Sequence, residues 1–395
     1  MGLKHGLLVF IFAVAPDWCF SYQPTSNHSY IKNSNFAGNY AMEVGGKINS
    51  KLLLHGNDFA SLDPESNLSL DIDLYHVNAG VLKYGVRINP SFNNYFGNGV
   101  DYYLFINGRL GKIEVGAVTD AVENLKIGAG PLSIGSGMAG SNFGRHVEFP
   151  ADSGHLLFEP ATMMDQNFGF ADGKLIRKSW NHSKYLNKIN YYSPELFGFQ
   201  LGFSLTPNVI MTNKDLGLID ENKFDFGYVL SGALNYIVTI WDLSIAASVA
   251  FENNVADPTG KIKKNVEKHP LAAKFCSHEF GLSLSYFGMT IAGSFGQADR
   301  TPNKDLTASR DNIAKMKSWY VTGGGNYEIG SFTVSGVYFE SRTGGNILRT
   351  FNYGLRKNIA RNLAIYLEYT DYRHKFGDEK FEKNFGVGTG LTINF

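Results

Sequence analysis

The stretch Asn384-Phe-Gly-Val-Gly-Thr-Gly-Leu-Thr-Ile-Asn-Phe395 alternates without a break. Phe385, Val387, Thr389, Leu391, Ile393 and Phe395 occupy the odd positions; Asn384, Gly386, Gly388, Gly390, Thr392 and Asn394 occupy the even ones. Strict period two specifies a strand with one apolar face and one small or polar face. A strand that runs to an aromatic at the end of the chain needs a partner on both edges, or it becomes an aggregation edge. A closed barrel supplies both partners. An apolar face toward lipid and a small, polar face toward a lumen is the pattern of an outer-membrane strand.

The same alternation recurs upstream. It predicts strands over about 40–49, 68–75, 82–88, 101–106 and 112–117, and again over about 185–193, 197–205, 224–230, 242–252, 280–286, 289–295, 319–327, 332–338, 351–355 and 363–370. With the C-terminal strand the count is sixteen, an even number. Loops are expected near 50–65, 90–99, 120–184, 206–222, 253–272, 299–316, 342–346 and 373–382, with tight turns between them, including Asn107-Gly108 and Phe287-Gly288. Short turns on one side and long loops on the other are the layout of a transmembrane antiparallel β-barrel. Sixteen strands leave an aqueous lumen, and the inward Ser, Gly, Asp, Glu, Lys, Gln, Asn and Thr would not form a dry core.

Composition agrees. The chain of 395 residues has 36 basic and 36 acidic side chains, a formal charge of zero, which argues against a nucleic-acid partner held by bulk charge. Glycine (44), Phe (30) and Tyr (21) are abundant, as strands, tight turns and interfacial girdles require. Residues 1–21 read as a signal peptide, with Lys4 as the basic flank and an apolar core from Leu7 to Ala15. Residues 22–38 read as a flexible N-terminal leader, and 39–395 as a single barrel domain. Beyond residue 21 no apolar run reaches the roughly 18 residues of a membrane helix. Cleavage would remove Cys19 and leave Cys276 as a lone thiol on a strand, with no disulfide partner.

Strand number, loop alternation, the terminal Thr-Ile-Asn-Phe and one overlong loop after strand five resemble the sixteen-stranded general porins of Gram-negative bacteria. The resemblance implies an outer-membrane channel for passive diffusion of small hydrophilic solutes and ions, with no cofactor and no catalysis. It implies a homotrimer, and a third loop (120–184) folded into the lumen as a constriction. It also implies carboxylates on that loop facing basic side chains on the wall, so that opposed charges set a transverse field. The acidic candidates are Glu123, Glu148 and Asp152; the basic ones are Lys47, Lys83 and Arg87, with Lys112 and Arg356 behind them. Phe395 is the aromatic that outer-membrane assembly machinery would read. Tyr40, Trp319, Tyr327, Tyr338, Tyr353 and Tyr369 are girdle candidates, set where ring and polar group meet different solvents.

Competing readings are weaker. The run Gly128 to Gly140 lacks the Lys-Ser/Thr ending and strand-helix context of a phosphate cradle. Asn181-His182-Ser183 places a base beside a nucleophile, but neighbours on a strand point to opposite faces and no third group orients them. The histidines show no metal-ligand spacing. A second class of function remains: a surface barrel whose long loops act as an adhesin.

Overall fold

The computed structural model describes residues 31–36, 40–55, 61–78, 82–93, 99–135, 157–158, 167–171, 174–176, 187–212, 223–255, 271–302, 316–343, 346–375 and 380–395. Sixteen strands form a ring: β1 (Tyr40–His55), β2 (Ser61–Asn78), β3 (Leu82–Asn93), β4 (Gly99–Gly108), β5 (Gly111–Ala117), β6 (Asn187–Tyr192), β7 (Phe199–Thr212), β8 (Lys223–Ile240), β9 (Leu243–Val255), β10 (Leu271–Tyr286), β11 (Met289–Pro302), β12 (Met316–Ile329), β13 (Phe332–Thr343), β14 (Asn346–Ala360), β15 (Leu363–Lys375) and β16 (Glu382–Asn394). Each pairs antiparallel with the next, and β16 pairs back onto β1 from Lys47↔Asn394 to His55↔Gly386. A short strand, Ile31–Phe36, continues that edge of β1 by pairing with Tyr40 to Val44. Gly46 and Phe395 exchange backbone hydrogen bonds of 2.8 and 3.0 Å, so the last residue is stitched into the ring.

The burial pattern is inverted relative to a soluble protein. Leu104 is 60% exposed and Leu367 51%, whereas Glu368 is 1% and Asn352 and Thr370 are 0% exposed. Alternation explains this directly. One face of each strand looks outward with Leu, Ile, Val and aromatic side chains, and the other looks into the bore with polar ones. A large apolar exterior is stable only against lipid. The girdle candidates all stand on the outward face: Tyr40, Tyr327, Tyr353 and Tyr369 are 41–57% exposed there, Trp319 lies diagonally from the outward Phe295 ring, and Tyr338 is directly opposite Phe351. Cys276 is exposed on the same face.

Several sequence-based boundaries are corrected. β1 runs to His55 and β2 begins at Ser61, so most of 50–65 is ladder. Pro90 lies inside β3 and pairs with Val100, and β8 continues past Leu230 to Ile240. Ladders outlast the clean alternation because backbone pairing continues through residues that interrupt it, such as Gly232 in β8 and Pro64 in β2. The turn between β4 and β5 is Arg109-Leu110, closed by Gly108↔Gly111, two residues beyond the expected Asn107-Gly108. Phe287-Gly288 is a two-residue turn with both residues at positive φ, 43° and 78°, as predicted.

The long third connection lies between β5 and β6. It is not structureless: a helical turn α1 (Ala121–Leu125), a 3-10 turn (Gly130–Leu132) and three short strands (Leu157–Phe158, Asn167–Ala171, Lys174–Ile176) occur in it. The expected signal, residues 22–30 and 37–38 of the expected leader, and loop residues Glu148, Asp152 and His182 lie outside the described residues, whereas residues 31–36 of that leader form the short strand on the edge of β1.

Candidate functional site

The bore has two unlike walls. On β1 to β6 the inward residues are long and charged. Arg87 grips Asp73 with two guanidinium hydrogen bonds and donates a third to the Tyr103 hydroxyl at 3.2 Å. Lys83 lies over the Tyr75 ring at 3.6 Å and 4.0 Å from the Glu43 carboxylate, which accepts from the Tyr75 hydroxyl at 2.8 Å. Lys112 pairs with Glu114, and Asn190 donates to Glu114 at 3.1 Å. Ion pairs of this kind are less screened inside a narrow water column than on an open surface.

On β7 to β14 segment 118–135 is seated on small inward residues. Asp120 caps α1 by accepting from the Val122 amide at 2.8 Å, and the Ser231 hydroxyl donates to the same carboxylate at 2.7 Å. The Ala121 amide donates to Ser204 at 2.7 Å, the Ile127 amide to Ser248 at 2.8 Å and the Ala129 amide to Thr322 at 3.3 Å. Ser133 donates to Asn352 at 2.6 Å. Ala121, Val122 and Leu125 form an apolar knot with Tyr192, Ala233 and Ala250. The fit depends on missing side chains. A Cβ at Gly281 would lie 1.8 Å from the Ile127 carbonyl oxygen, and one at Gly202 would lie 2.5 Å from a Leu125 methyl. The segment thus passes from β6 to β14 along the inner face of the wall.

Charge is divided between the walls. Among the described inward residues, Lys47, Lys51, Lys83, Arg87, Lys112 and Lys188 stand on β1 to β6, beside Glu43, Asp71, Asp73, Asp101 and Glu114. On β7 to β16 the described acids Glu252, Glu279, Glu328, Glu368 and Glu382 face inward, with Arg356 as the described base. Described bases are thus concentrated on the first wall, while the second is acid-rich.

The expected site residues are dispersed. Lys83 and Arg87 are neighbours on β3, each beside a wall carboxylate, Glu43 and Asp73. Glu123 lies on α1 and pairs with Lys126 one turn on, at 2.9 Å. Lys47 stands midway along β1, where it meets the end of β16 at Asn394, and Arg356 lies near the short-turn end of β14, 3.9 Å from Glu328. Sequence reading missed the seat: Ser204, Ser231, Ser248 and Thr322 are unremarkable one by one. The available signal was the run of small inward residues on β7 to β12, against charged ones on β1 to β6.

A family model described as Gram-negative porin matches residues 29–377. An uncharacterized protein of Rickettsia bellii (strain RML369-C) is 24% identical over 327 residues, 69% of each chain. An anion-selective porin from Comamonas acidovorans superposes with a TM-score of 0.55 at 16% identity, covering 90% of this chain and 100% of that one. A loop-deletion form of OmpT, an outer membrane protein of Vibrio cholerae, gives 0.58 at 11% identity, covering 91% and 100%. A trimer form of in-vitro folded OmpT gives 0.54 at 12%, covering 91% and 100%. At such identities the solved structures share the fold. The family match, the closed ring and the polar bore lead to one conclusion: the chain belongs to the Gram-negative porin family and is an outer-membrane channel for passive diffusion.

Proposed function

We propose that the bore conducts small hydrophilic solutes and ions with a weak preference for cations, and that segment 118–135 is a fixed narrowing of it, not a gate. The observation that carries this reading is the seating of that segment on inward hydroxyls from β7 to β14. A loop tied at so many points has little freedom to swing. The preference follows from charge: acids outnumber bases among the described inward residues, and cations concentrate where potential is negative.

Glu123, with Glu148 and Asp152 further along the loop, is proposed to oppose Lys83, Arg87 and Lys47 across the water path. The channel is proposed to work without catalytic chemistry and to assemble as a homotrimer; a trimer form is known for the Vibrio cholerae structure of the same fold. Phe395, outward on β16, is the proposed recognition point for the assembly machinery. Planar-bilayer recording in a salt gradient tests the reading. A steady conductance with a reversal potential on the cation side is expected; no conductance, or a clear anion preference, would overturn it.

A further inference from the structure

The outward face of the barrel carries an unusual row of charge at the long-loop end of β13 to β16. Glu340, Arg349, Arg373 and Lys383 are directly opposite one another in successive ladders. Arg342 and Lys375 belong to the next row toward the loops. Below them the rows change in order: first Tyr338, Phe351, Asp371 and Phe385, then Gly336, Tyr353, Tyr369 and Val387, then Val334, Leu355, Leu367 and Thr389. Aliphatic, then aromatic, then cationic rows trace the passage from the hydrocarbon of a leaflet to its headgroups.

The cations exceed their local partners. Glu340 accepts from both Arg342 and Arg349 at 2.7 Å, and Asp371 accepts from Arg373 at 2.7 and 2.9 Å. Five cations therefore stand against two carboxylates among the described outward residues of this patch. Arg349 faces Arg373, and Arg373 faces Lys383, where like charges across a ladder repel. The guanidinium groups are also propped on rings: Arg342 on Trp319 and Arg349 on Phe381 at 4.9 Å, Arg373 on Phe351 at 5.6 Å. They remain 32–42% exposed.

We propose that this patch binds the phosphate-bearing headgroup of an outer-leaflet lipid, with the acyl chains lying along Tyr353, Leu355 and Leu367. A phosphate oxygen pair fits the guanidinium fork and relieves the repulsion between Arg349 and Arg373. The depth fits as well. A soluble anion has no use for an aliphatic wall under its site, whereas a lipid needs both.

The test uses the full barrel in detergent and a synthetic glycolipid bearing two phosphate monoesters, with its dephosphorylated form as comparison, followed by native mass spectrometry. The double substitution Arg349→Gln and Arg373→Gln should weaken binding about tenfold or more while conductance stays unchanged. Lys383→Gln, on an exposed side chain, should weaken it less. Lys357→Gln, outward at the opposite end of β14 over the Phe332 ring at 5.2 Å, should leave it unchanged. Equal binding of the dephosphorylated lipid, or unchanged binding by both patch variants, overturns the proposal. So does a loss of oligomer with lipid binding intact, which would make the patch a subunit contact. Conductance reports on the channel reading separately, so failure of one does not imply failure of the other.

Discussion

The wall from β1 to β6 and the wall from β7 to β14 share one alternation and one hydrogen-bonding scheme, yet they do different work. Where the inward residues are long and charged, as at Lys83, Arg87 and Lys112, side chains reach into the bore and line it. Where they are small, as at Gly202, Ser231, Ser248 and Gly281, a segment of backbone lies down on the wall and replaces them. Inward side-chain size thus decides whether a strand borders the water path directly or holds something else that does.

The largest expected break in this contrast comes from filling the seat. Gly281→Leu puts atoms where the Ile127 carbonyl lies, 1.8 Å from the first added carbon. The segment must leave the wall and occlude the bore, and single-channel conductance should fall by about half, since overpacking of this kind forces backbone shifts. Wild-type conductance in that variant would mean that the seat is not needed. The charged wall is probed next. Asp73→Asn strips the partner from Arg87. Glu252→Gln and Glu279→Gln remove acid from the other wall, where both are buried. Each should lower the cation-to-anion permeability ratio by about twofold, read from reversal potentials; a shift the other way would contradict the proposed division of charge. The smallest effect is expected from Ser231→Ala. It removes one hydroxyl donor from the buried Asp120 carboxylate while the cap to Val122 remains. A hydrogen bond to a charged group is worth about 2 kcal/mol, so the segment should loosen and open-channel noise should rise with little change in mean current.

The ring itself was legible because period two is a strong local signal. All sixteen strands were found, and the parity of Tyr103 against Tyr102, or of Glu368 against Leu367, was right in each case. Strand ends were less legible: β8 runs on to Ile240 with Leu234, Tyr236, Val238 and Ile240 on its outward parity, but Gly232 and the inward-parity Ala233 and Ile237 blur the alternation. The site was legible only in kind. Arg87 was identified, but its nearest partner proved to be Asp73, fourteen residues back on the adjacent strand. Asp120, at the start of the same loop, caps α1 and accepts a hydrogen bond from Ser231. Such roles depend on which strands the loop crosses, and Ala129 meeting Thr322 at a separation of 193 residues leaves no trace in the local sequence.

One consequence follows from the stitch between Gly46 and Phe395. The edge of the first long strand from Lys47 to His55 is covered by the last strand alone. Without that strand the sheet keeps two raw margins and encloses no water, so the two most distant stretches of the described chain must meet before there is a pore at all.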